Sequence, residues 1–427
     1  MTAPTLPPVV TGAPVTCPPL PTGNGSVELP AQLAASGLKV LKAAVVEGFR
    51  YWKQVPGRGF PPVTAVTDLA RWVHVMTDRR PPQWATQHTI VFETPVARLR
   101  DFSDPDAGDV VPTLFLPPQA GHDSCIVDFS PRQSQIKVAK AAGLTRVYAM
   151  DWVGATPQHA DAQVDDYLAV LDRAVEHAGG RVNLVGDCQG GWLATIWAAL
   201  NPEKVHTLTI AGAPIDFTIG KPQIASWVSF MGGNDLAAYR AIVRRNGGVM
   251  PGRHMLNGFI SLKPESEAEK QLQLLSHLDD QDYLARYREF EDWFKHTQDI
   301  PGPFYLWIIQ HLFRDNELVR GELEIGGRTV RLGDITCPVY LLGGATDHIT
   351  PPAQVFAAAD HVGTPAEDIT KATTSGGHLG LFMGSEALRE YWPKILTDVA
   401  RRSRRSVPAE AEVRDAIAPH DPLVPAP

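Results

Sequence analysis

The sequence predicts an α/β protein in which a mostly parallel sheet is wound on both faces by helices. Short β-branched runs alternate along the chain with helical stretches, which is typical of this architecture. The runs lie, in chain order, in TIVFETPVARL, VPTLFL, SCIVDF, RVYAMDW, RVNLVGD, VHTLTIAG and PVYLLGG. One intervening stretch, DDYLAVLDRAVEHAGG, has apolar residues at three- and four-residue spacing and ends at a glycine pair, as an amphipathic helix does. With 427 residues, the chain is long enough for such a core and an insertion.

Composition and charge narrow the classes of function. The formal net charge is −8 and the isoelectric point is near 6.0, so the chain lacks the basic surface that nucleic acid requires. No apolar run reaches the ~18 residues that a membrane-spanning helix needs. The four cysteines lie far apart and form no C-x-x-C pair, which is typical of reduced thiols. We therefore expect a cytoplasmic protein with no nucleic-acid partner, no transmembrane segment and no metal.

Composition also divides the chain into segments. We expect a loose proline-rich N-terminal segment (1–35), a helical region (36–90), the first part of the α/β core (91–217), a cap insertion (218–330), the second part of the core (331–402) and a disordered tail (403–427). The insertion is rich in aromatic residues, which we expect to line an acyl channel, a polymer exit or a dimer face, or to pack the cap onto the sheet. A cap matters for the chemistry because it excludes water from a reactive intermediate.

A cysteine stands at the centre of a nucleophile elbow motif. Residues 186–191 read GDCQGG, directly after the apolar run VNLV and directly before WLATIWAAL. In G-x-[SC]-x-G between a strand and a helix, a sharp turn pushes the central side chain out over the sheet. The first N–H groups of the helix, beginning with that of Gln189, then point at an acyl oxygen, and the helix N-terminus favours a thiolate on Cys188. The motif alone also fits a buried structural cysteine, so an acid and a base must follow.

The acid and the base follow in the required order. Asp347 lies in a loop after the run PVYLLGG, and His378 lies further along in the glycine-rich loop TTSGGHLGLF. The order nucleophile, acid, histidine is that of an α/β-hydrolase, in which parallel strands bring the three loops to one edge of the sheet. His378 would take the thiol proton, and Asp347 would orient the imidazole and stabilise its charge. We predict Cys188, Asp347 and His378 as a catalytic triad, and we expect His348 only to pack beside the acid.

Two further features near the nucleophile bear on the site. A second oxyanion donor should come from the loop after an earlier strand, and the run CIVDFSPRQ points to the backbone N–H of Phe129 or Ser130. Asp187 directly precedes the nucleophile, and a charged carboxylate aimed at the thiol would oppose formation of the thiolate. The orientation of Asp187 therefore bears directly on the reactivity of the cysteine.

With these residues identified, the chain resembles the polyhydroxyalkanoate synthase family, in particular the shorter type that works with a second subunit. The resemblance runs from residue 85 to 403 and is carried by GDCQGGW, AMDWVGATPQHADAQVDDYL, VMPGRHMLNGFISLKP, NELVRGELEIGGRTVRLGDITCPVYLLGGATDHITPP, GGHLGLFMG and YWPKI. It implies that a hydroxyacyl-CoA acylates Cys188, that His378 activates the thiol and the chain hydroxyl, and that Asp347 assists. It implies acyl-CoA as substrate and no further cofactor. The partners it implies are a second synthase subunit or a homodimer, and the surface of a polymer granule.

Three functions remain open on the sequence. The first is a cysteine-dependent acyltransferase that moves 3-hydroxyacyl groups from CoA to Cys188 and then to a hydroxyl acceptor or a growing polyester. The second is a thioesterase, or an intracellular polyester hydrolase or depolymerase, with the same triad. The third is a non-catalytic granule-associated protein, which has no need of a triad. The cysteine favours the first, because transfer between two thioesters keeps the acyl group activated.

Overall fold

The computed structural model describes residues 28–220 and 236–403, and an eight-stranded sheet forms their centre. Its strands are, in chain order, β1 (Thr89–Glu93), β2 (Ala97–Asp101), β3 (Thr113–Leu116), β4 (Val147–Trp152), β5 (Val182–Asp187), β6 (Val205–Ala211), β7 (Val339–Gly344) and β8 (Ile369–Thr374). Their spatial order is β1-β2-β4-β3-β5-β6-β7-β8. The six strands β4-β3-β5-β6-β7-β8 are parallel to their neighbours in the sheet. Strand β2 is antiparallel to both of its neighbours, β1 and β4.

Helices cover both faces of the sheet. The helices of the described residues are α1 (Glu28–Gln54), α2 (Pro61–Thr77), α3 (Gln135–Ala141), α4 (Val164–Ala178), α5 (Gln189–Leu200), α6 (Ala237–Arg245), α7 (Gly252–Leu262), α8 (Pro264–Ser276), α9 (Gln281–Phe294), α10 (Gly302–Trp307), α11 (Glu317–Arg320), α12 (Pro352–Phe356), α13 (His378–Met383) and α14 (Trp392–Ser403). The predicted fold class, an α/β-hydrolase fold with a mostly parallel sheet between helical layers, is confirmed.

The core consists of two apolar layers, because successive residues of a strand point to opposite faces of the sheet. Leu114 and Leu184 face the layer that contains the large buried side chains of α4 and α5. Their neighbours Phe115 and Val185 face the layer that contains α3 and α14. Strands β3 and β5 are buried along their whole length, as expected for central strands of a sheet covered on both sides.

Helix α4 illustrates how the local sequence fixes an element. Asp165 and Asp166 lie in its first turn, where acidic side chains favour the positive end of the helix, and Gln163 completes a reciprocal cap with Asp166. The helix ends at Gly179, whose φ of 111° is available to glycine at little cost. The predicted amphipathic helix is therefore present with the predicted end.

One predicted strand is wrong. Residues Ser124–Val127, inside the run SCIVDF, form a 3₁₀ turn, and the following Asp128–Ser130 pairs only with Gln133–Ser134, outside the main sheet. The run is apolar because it is buried under the neighbouring elements, and a short apolar run does not distinguish a strand from another buried segment. Strand β8 was not predicted, because its sequence ITKATT is half polar and it lies at the edge of the sheet.

The N-terminal helical region begins earlier than the expected residue 36. Helix α1 starts at Glu28, within the segment expected to be loose as far as residue 35. Its one proline in this stretch, Pro30, lies in the first turn, where a missing N–H breaks no helical hydrogen bond. The remainder of that segment, 1–27, and most of the expected tail, 404–427, lie outside the described residues.

Helices α1 and α2 pack on the insertion through apolar and polar contacts. Val75 of α2 is buried in a cluster with Leu274 of α8, and the Ser276 hydroxyl of α8 donates to Glu47 of α1. The Tyr51 hydroxyl of α1 donates to Asp68 of α2 over 3.1 Å. The outer side of α1 and α2 carries exposed apolar residues, which we call the apolar outer face: Leu38, Leu41, Val45, Val46, Phe49, Trp52, Phe60, Val63, Val66, Leu69 and Val73. Exposed apolar side chains in this number are typical of an interaction site. None of the described helices is long and apolar enough to cross a membrane.

Candidate active site

The nucleophile elbow lies at the end of β5, near the middle of the sheet. Cys188 has φ 50° and ψ −118°, a backbone conformation that a residue with a side chain rarely adopts. Two hydrogen bonds fix the turn: the Cys188 N–H donates to the Ala211 carbonyl over 2.8 Å, and the Gly191 N–H donates to the Cys188 carbonyl over 2.9 Å. Helix α5 begins at the next residue. The predicted strand–turn–helix context of the motif is therefore present.

The glycines of GDCQGG are required by close backbone contacts. A Cβ atom on Gly190 would lie 1.9 Å from the Leu116 carbonyl oxygen, at the end of β3. A Cβ atom on Gly186 would lie 2.5 Å from the Cα of Gly191. Real Cβ atoms do not approach backbone this closely, so only glycine lets the first turn of α5 lie against β3 and β5. These contacts fix the N-terminus of α5 next to Cys188, which is its N-cap residue.

The structure brings Cys188, Asp347 and His378 together. His378 Nδ1 is 2.7 Å from Asp347 Oδ2, and Cys188 and His378 line the same pocket, where the charge of the sulfur acts on the imidazole. The other carboxylate oxygen, Asp347 Oδ1, accepts the backbone N–H groups of Ile349 and Thr350, each over 2.9 Å. Asp347 thus holds the ring in one orientation, and the structure brings acid, histidine and thiol together, as a triad requires.

Electrostatics favour a charged imidazole at this position. Burial opposes a proton on His378, but the charge of Asp347 and that of the Cys188 sulfur outweigh it and raise the pKa of the imidazole well above its ordinary value. His378 is 7% exposed and Asp347 5%, so bulk water screens the interaction little. The arrangement favours the protonated imidazole, whose positive charge stabilises a thiolate once the thiol proton has moved to His378.

Asp187 does not oppose the thiolate. Its side chain is fully buried, and Oδ2 accepts a hydrogen bond from Gln135 Nε2 over 2.6 Å. Burial raises the pKa of Asp187 to about 8, although Gln135 and the charge of His378 lower it in part. The carboxyl is therefore mainly neutral at pH 7, and it adds no full negative charge beside the nucleophile.

Two glutamines connect this region to the helix that carries the histidine. Gln135 Nε2 also lies 3.3 Å from the Phe382 carbonyl, and Gln133 Nε2 donates to the Met383 carbonyl over 2.7 Å. Both carbonyls belong to α13, which begins at His378. These glutamines were not identified from the sequence, because nothing in their spacing indicates that α13 packs against them.

Of the predicted oxyanion donors, Gln189 lies at the elbow, whereas Phe129 and Ser130 lie outside the main sheet. Gln189 is the first residue of α5, and the early N–H groups of a helix have no partner within the helix. Phe129 and Ser130 lie in the short strand outside the main sheet, where Phe129 packs edge-on against Trp293 and Ser130 contacts Gln133. Their assignment assumed a core strand just before them, and that assumption is wrong.

The loop beside the elbow follows β3 instead, because β3 is the strand that pairs with β5. This loop begins with Pro117 and Pro118, which have no N–H, so its first available backbone donor belongs to Gln119. The Pro117 carbonyl accepts Trp152 Nε1 over 2.7 Å, and the Gln119 side chain donates to the Tyr167 hydroxyl over 2.8 Å. Gln119 is the better candidate for the second oxyanion donor.

A pocket above the elbow contains both Cys188 and His378. It is lined by Pro118, Ala120, His122, Ile126, Cys188, Phe259, Ile260, Lys263, Glu267, Trp293, Phe294, His348, Ile349, His378, Leu379 and Phe382. The lining combines core loops with α7, α8 and α9 of the insertion, and most of it is apolar. The insertion therefore covers the nucleophile, and an acyl chain fits the chemistry of the walls.

The aromatic residues of the insertion divide between the pocket and the core. Trp293 and Phe294 line the pocket. Phe304 instead stacks on Tyr167, with ring centroids 4.1 Å apart, and packs in the main core. His348 lines the pocket beside the acid. Among residues 28–220 and 236–403, no cluster of three or more histidine, cysteine or acidic side chains could hold a metal ion.

Comparison with known proteins identifies the family. The family described as "Protein of unknown function (DUF3141)" matches residues 96–400. The chain is 32% identical to "Poly(3-hydroxyalkanoate) polymerase subunit PhaC" of Allochromatium vinosum over 279 residues, which is 63% of this chain and 75% of that relative. It is 29% identical to the subunit of the same name in Thiocystis violacea, with the same coverage. The chain belongs to the PhaC family and to DUF3141.

Membership of the PhaC family supports an enzyme of the acyltransferase or hydrolase type. Helices α1 and α2, with the apolar outer face, precede the part that the DUF3141 family covers. Similar solved structures include the monoacylglycerol lipase of Paleococcus ferrophilus, at 18% identity and a TM-score of 0.45, covering 72% of this chain and 99% of the lipase. Another is an esterase of Thermogutta terrifontis, at 16% identity and a TM-score of 0.46, covering 74% and 100%.

The contact between α5 and β3 makes a first prediction for this PhaC-family chain. Gly190→Ala should lower the free energy of unfolding by about 3 kcal/mol or more, because the new methyl group cannot fit beside the Leu116 carbonyl. Gly258→Ala in α7 is the control, since a Cβ there meets nothing within 4 Å, and it should stabilise by about 0.5–1 kcal/mol. Urea denaturation followed by circular dichroism measures both. Equal stability of the two variants would contradict the contact.

The neutral Asp187 makes a second prediction. Its folded pKa of about 8 lies above the value for an unfolded chain, so the folded state binds more protons between these values and stability falls as pH rises. Asp187→Asn removes this term. The stability of the variant relative to the wild type should therefore rise with pH between 5 and 7, by up to about 1.4 kcal/mol per pH unit. A difference that does not change with pH would show that Asp187 is charged in the folded protein.

Proposed function

We propose that the protein is a cysteine-dependent acyltransferase that moves 3-hydroxyacyl groups from CoA to Cys188, and then to a hydroxyl acceptor or a growing polyester. One observation carries the proposal: a thiol on a nucleophile elbow shares a pocket with a buried histidine that a carboxylate orients. Membership of the PhaC family supports the same reaction class. In this proposal Cys188 is the nucleophile, His378 the general base and acid, and Asp347 the residue that orients His378.

The first step loads the enzyme. His378 takes the thiol proton, and the Cys188 sulfur attacks the thioester carbonyl of the acyl-CoA. The Gln189 N–H at the start of α5, together with the Gln119 N–H, would stabilise the oxyanion. The bond between the carbonyl carbon and the CoA sulfur breaks, and the CoA thiolate receives the proton from His378. The products are free CoA and a hydroxyacyl thioester on Cys188.

The second step passes the acyl group to an acceptor. His378 now takes the proton of an acceptor hydroxyl, whose oxygen attacks the Cys188 thioester. The carbon–sulfur bond breaks, and the proton returns to the Cys188 sulfur. This step is favourable because a thioester is converted to an oxyester. The first step, in contrast, is nearly isoenergetic, because it exchanges one thioester for another.

The apolar pocket supports transfer over hydrolysis. Water competes with the acceptor hydroxyl for the same thioester, and the insertion covers the nucleophile with Phe259, Trp293 and Phe294. Exclusion of water by such a cover lengthens the life of the acyl-enzyme. A hydrolase with the same triad, acting on thioesters or polyesters, is the second candidate, and its product distinguishes it.

The partner of the apolar outer face follows from the proposed product. A polyester of hydroxyacyl units is apolar and separates from water as it grows, and the apolar outer face is an exposed surface of matching chemistry on the same chain. We therefore propose that α1 and α2 adsorb to the polymer granule. A second synthase subunit and a second copy of this chain are the alternative occupants.

Product analysis tests the proposed reaction. Incubated with 3-hydroxybutyryl-CoA, the wild type should release CoA and form oligomers that mass spectrometry detects. Cys188→Ala should lower the rate of CoA release by about 10³-fold or more, because the nucleophile is lost. Cys337→Ser is the matched control, because Cys337 packs against the core away from the pocket, and it should retain the wild-type rate.

The products separate the three functions. Free 3-hydroxybutyrate without oligomers would support the hydrolase instead. Absence of CoA release from several acyl-CoAs of different length would support a non-catalytic protein. Unchanged activity of Cys188→Ala would overturn the site assignment itself.

Adsorption tests the proposed partner. Replacement of Leu41, Val45 and Phe49 by serine should abolish co-sedimentation with poly(3-hydroxybutyrate) particles, and CoA release from a soluble substrate should remain. The control replaces the exposed Lys42 and Lys53 of the same helix by glutamine, which should leave co-sedimentation unchanged. Sedimentation velocity without polymer distinguishes the alternative: if the serine variant converts a dimer to a monomer and still binds particles, the face joins two copies of the chain.

A further inference from the structure

The pocket beside the nucleophile contains a histidine that the triad does not use. His122 lines the same pocket as Cys188 and His378, and only 8% of its surface is exposed. Its ring stacks on Phe294, with centroids 5.5 Å apart and planes inclined by 16°, and it also contacts Trp293 at 5.0 Å. A polar ring thus occupies a position in an aromatic cluster where a phenylalanine would fit.

His122 lacks the hydrogen bonding that buried polar groups usually have. Its Nδ1 is buried and has no hydrogen-bond partner among the residues that the structure describes. Most buried polar atoms are paired, so each exception calls for an explanation, such as a ligand that is bound only during function. Burial, with a smaller contribution from the charge of Lys295, lowers the pKa of His122 to about 4, so the ring is neutral near pH 7. A neutral imidazole offers one N–H donor and one nitrogen acceptor.

We propose that His122 determines specificity by hydrogen-bonding the hydroxyl group of the bound 3-hydroxyacyl chain. This proposal rests on the proposed function and names the feature of the substrate that the pocket recognises. A hydroxyl is both donor and acceptor, so it can pair with a neutral imidazole in either tautomer. A carbonyl oxygen accepts only, and an unsubstituted acyl chain offers neither group. The other pocket-lining residues, which include Ala120, Ile126 and Phe294, are largely apolar and suit the hydrocarbon part of the acyl group.

Two charged side chains and one further imidazole, that of His348, line the pocket with His122, and His122 is the more deeply buried of the two imidazoles. Lys263 and Glu267 also line the pocket, and Glu267 is paired with Lys270 and Lys295, so its carboxylate is already neutralised by cations. A charged side chain would lose its hydration when it binds an uncharged hydroxyl, which costs much free energy. A neutral imidazole loses little hydration free energy in the same contact. His122 therefore combines low charge, burial and hydrogen-bonding capacity at one point of the pocket.

The experiment compares two substrates that differ by one hydroxyl. CoA release from 3-hydroxybutyryl-CoA and from butyryl-CoA is measured for the wild type, His122→Phe and His122→Gln. For His122→Phe, the ratio of the two kcat/KM values should fall about tenfold to a hundredfold, because a site built to pair with a hydroxyl loses that pairing. The kcat/KM for butyryl-CoA should change much less than that for 3-hydroxybutyryl-CoA. His122→Gln, which keeps a donor and an acceptor, should recover part of the ratio.

Stability separates recognition from a structural role. His122→Phe should not unfold at a lower temperature than the wild type, because it replaces an unpaired polar ring with an apolar ring of similar shape. An unchanged ratio, or equal losses for both substrates, would overturn the role of His122 and leave the acyltransferase intact. Absence of CoA release from both substrates in the wild type would instead reject the proposed function, and with it this proposal.

Discussion

Close packing of the backbone at the nucleophile elbow is the constraint on which the rest of the site depends. The first turn of α5 lies against the end of β3 because Gly190 has no side chain to meet the Leu116 carbonyl. Cys188 is held at a positive φ, a conformation that costs about 1–3 kcal/mol and persists only where its surroundings determine it. The same contact brings the end of β3 beside the elbow, and Pro118 and Ala120 of the loop that follows form part of the pocket wall with Cys188.

Two buried carboxyl groups near one thiol have opposite roles because their surroundings differ. Asp347 accepts two backbone N–H groups and faces the imidazole of His378, so its charge is satisfied and stabilises the imidazolium. Asp187 has one side-chain donor, Gln135, and burial raises its pKa to about 8. Environment, and not residue type, thus separates the charged acid of the triad from a neutral packing group.

The sequence was sufficient for the features that depend on local pattern and chain order. Strand runs, the glycine-framed Cys188 and the order of Asp347 and His378 all follow from such patterns, and the fold class is confirmed. Features that depend on tertiary packing could not be predicted. Phe129 and Ser130 were chosen because the buried apolar run before them resembles a strand. Gln119 was overlooked because the sequence does not show which predicted strand lies beside β5. The contacts of Gln135 and the burial of His122 come from elements distant in sequence.

The central claim is that Cys188 carries the acyl group as a thioester between two substrates. The most direct measurement is acid quenching within a single turnover of 3-hydroxybutyryl-CoA, followed by proteolysis and mass spectrometry of the peptide that contains Cys188. We predict one hydroxybutyryl group on that cysteine, released by hydroxylamine and lost as acceptor is added. CoA release with no acyl group on Cys188, or with the acyl group on another residue, would contradict it.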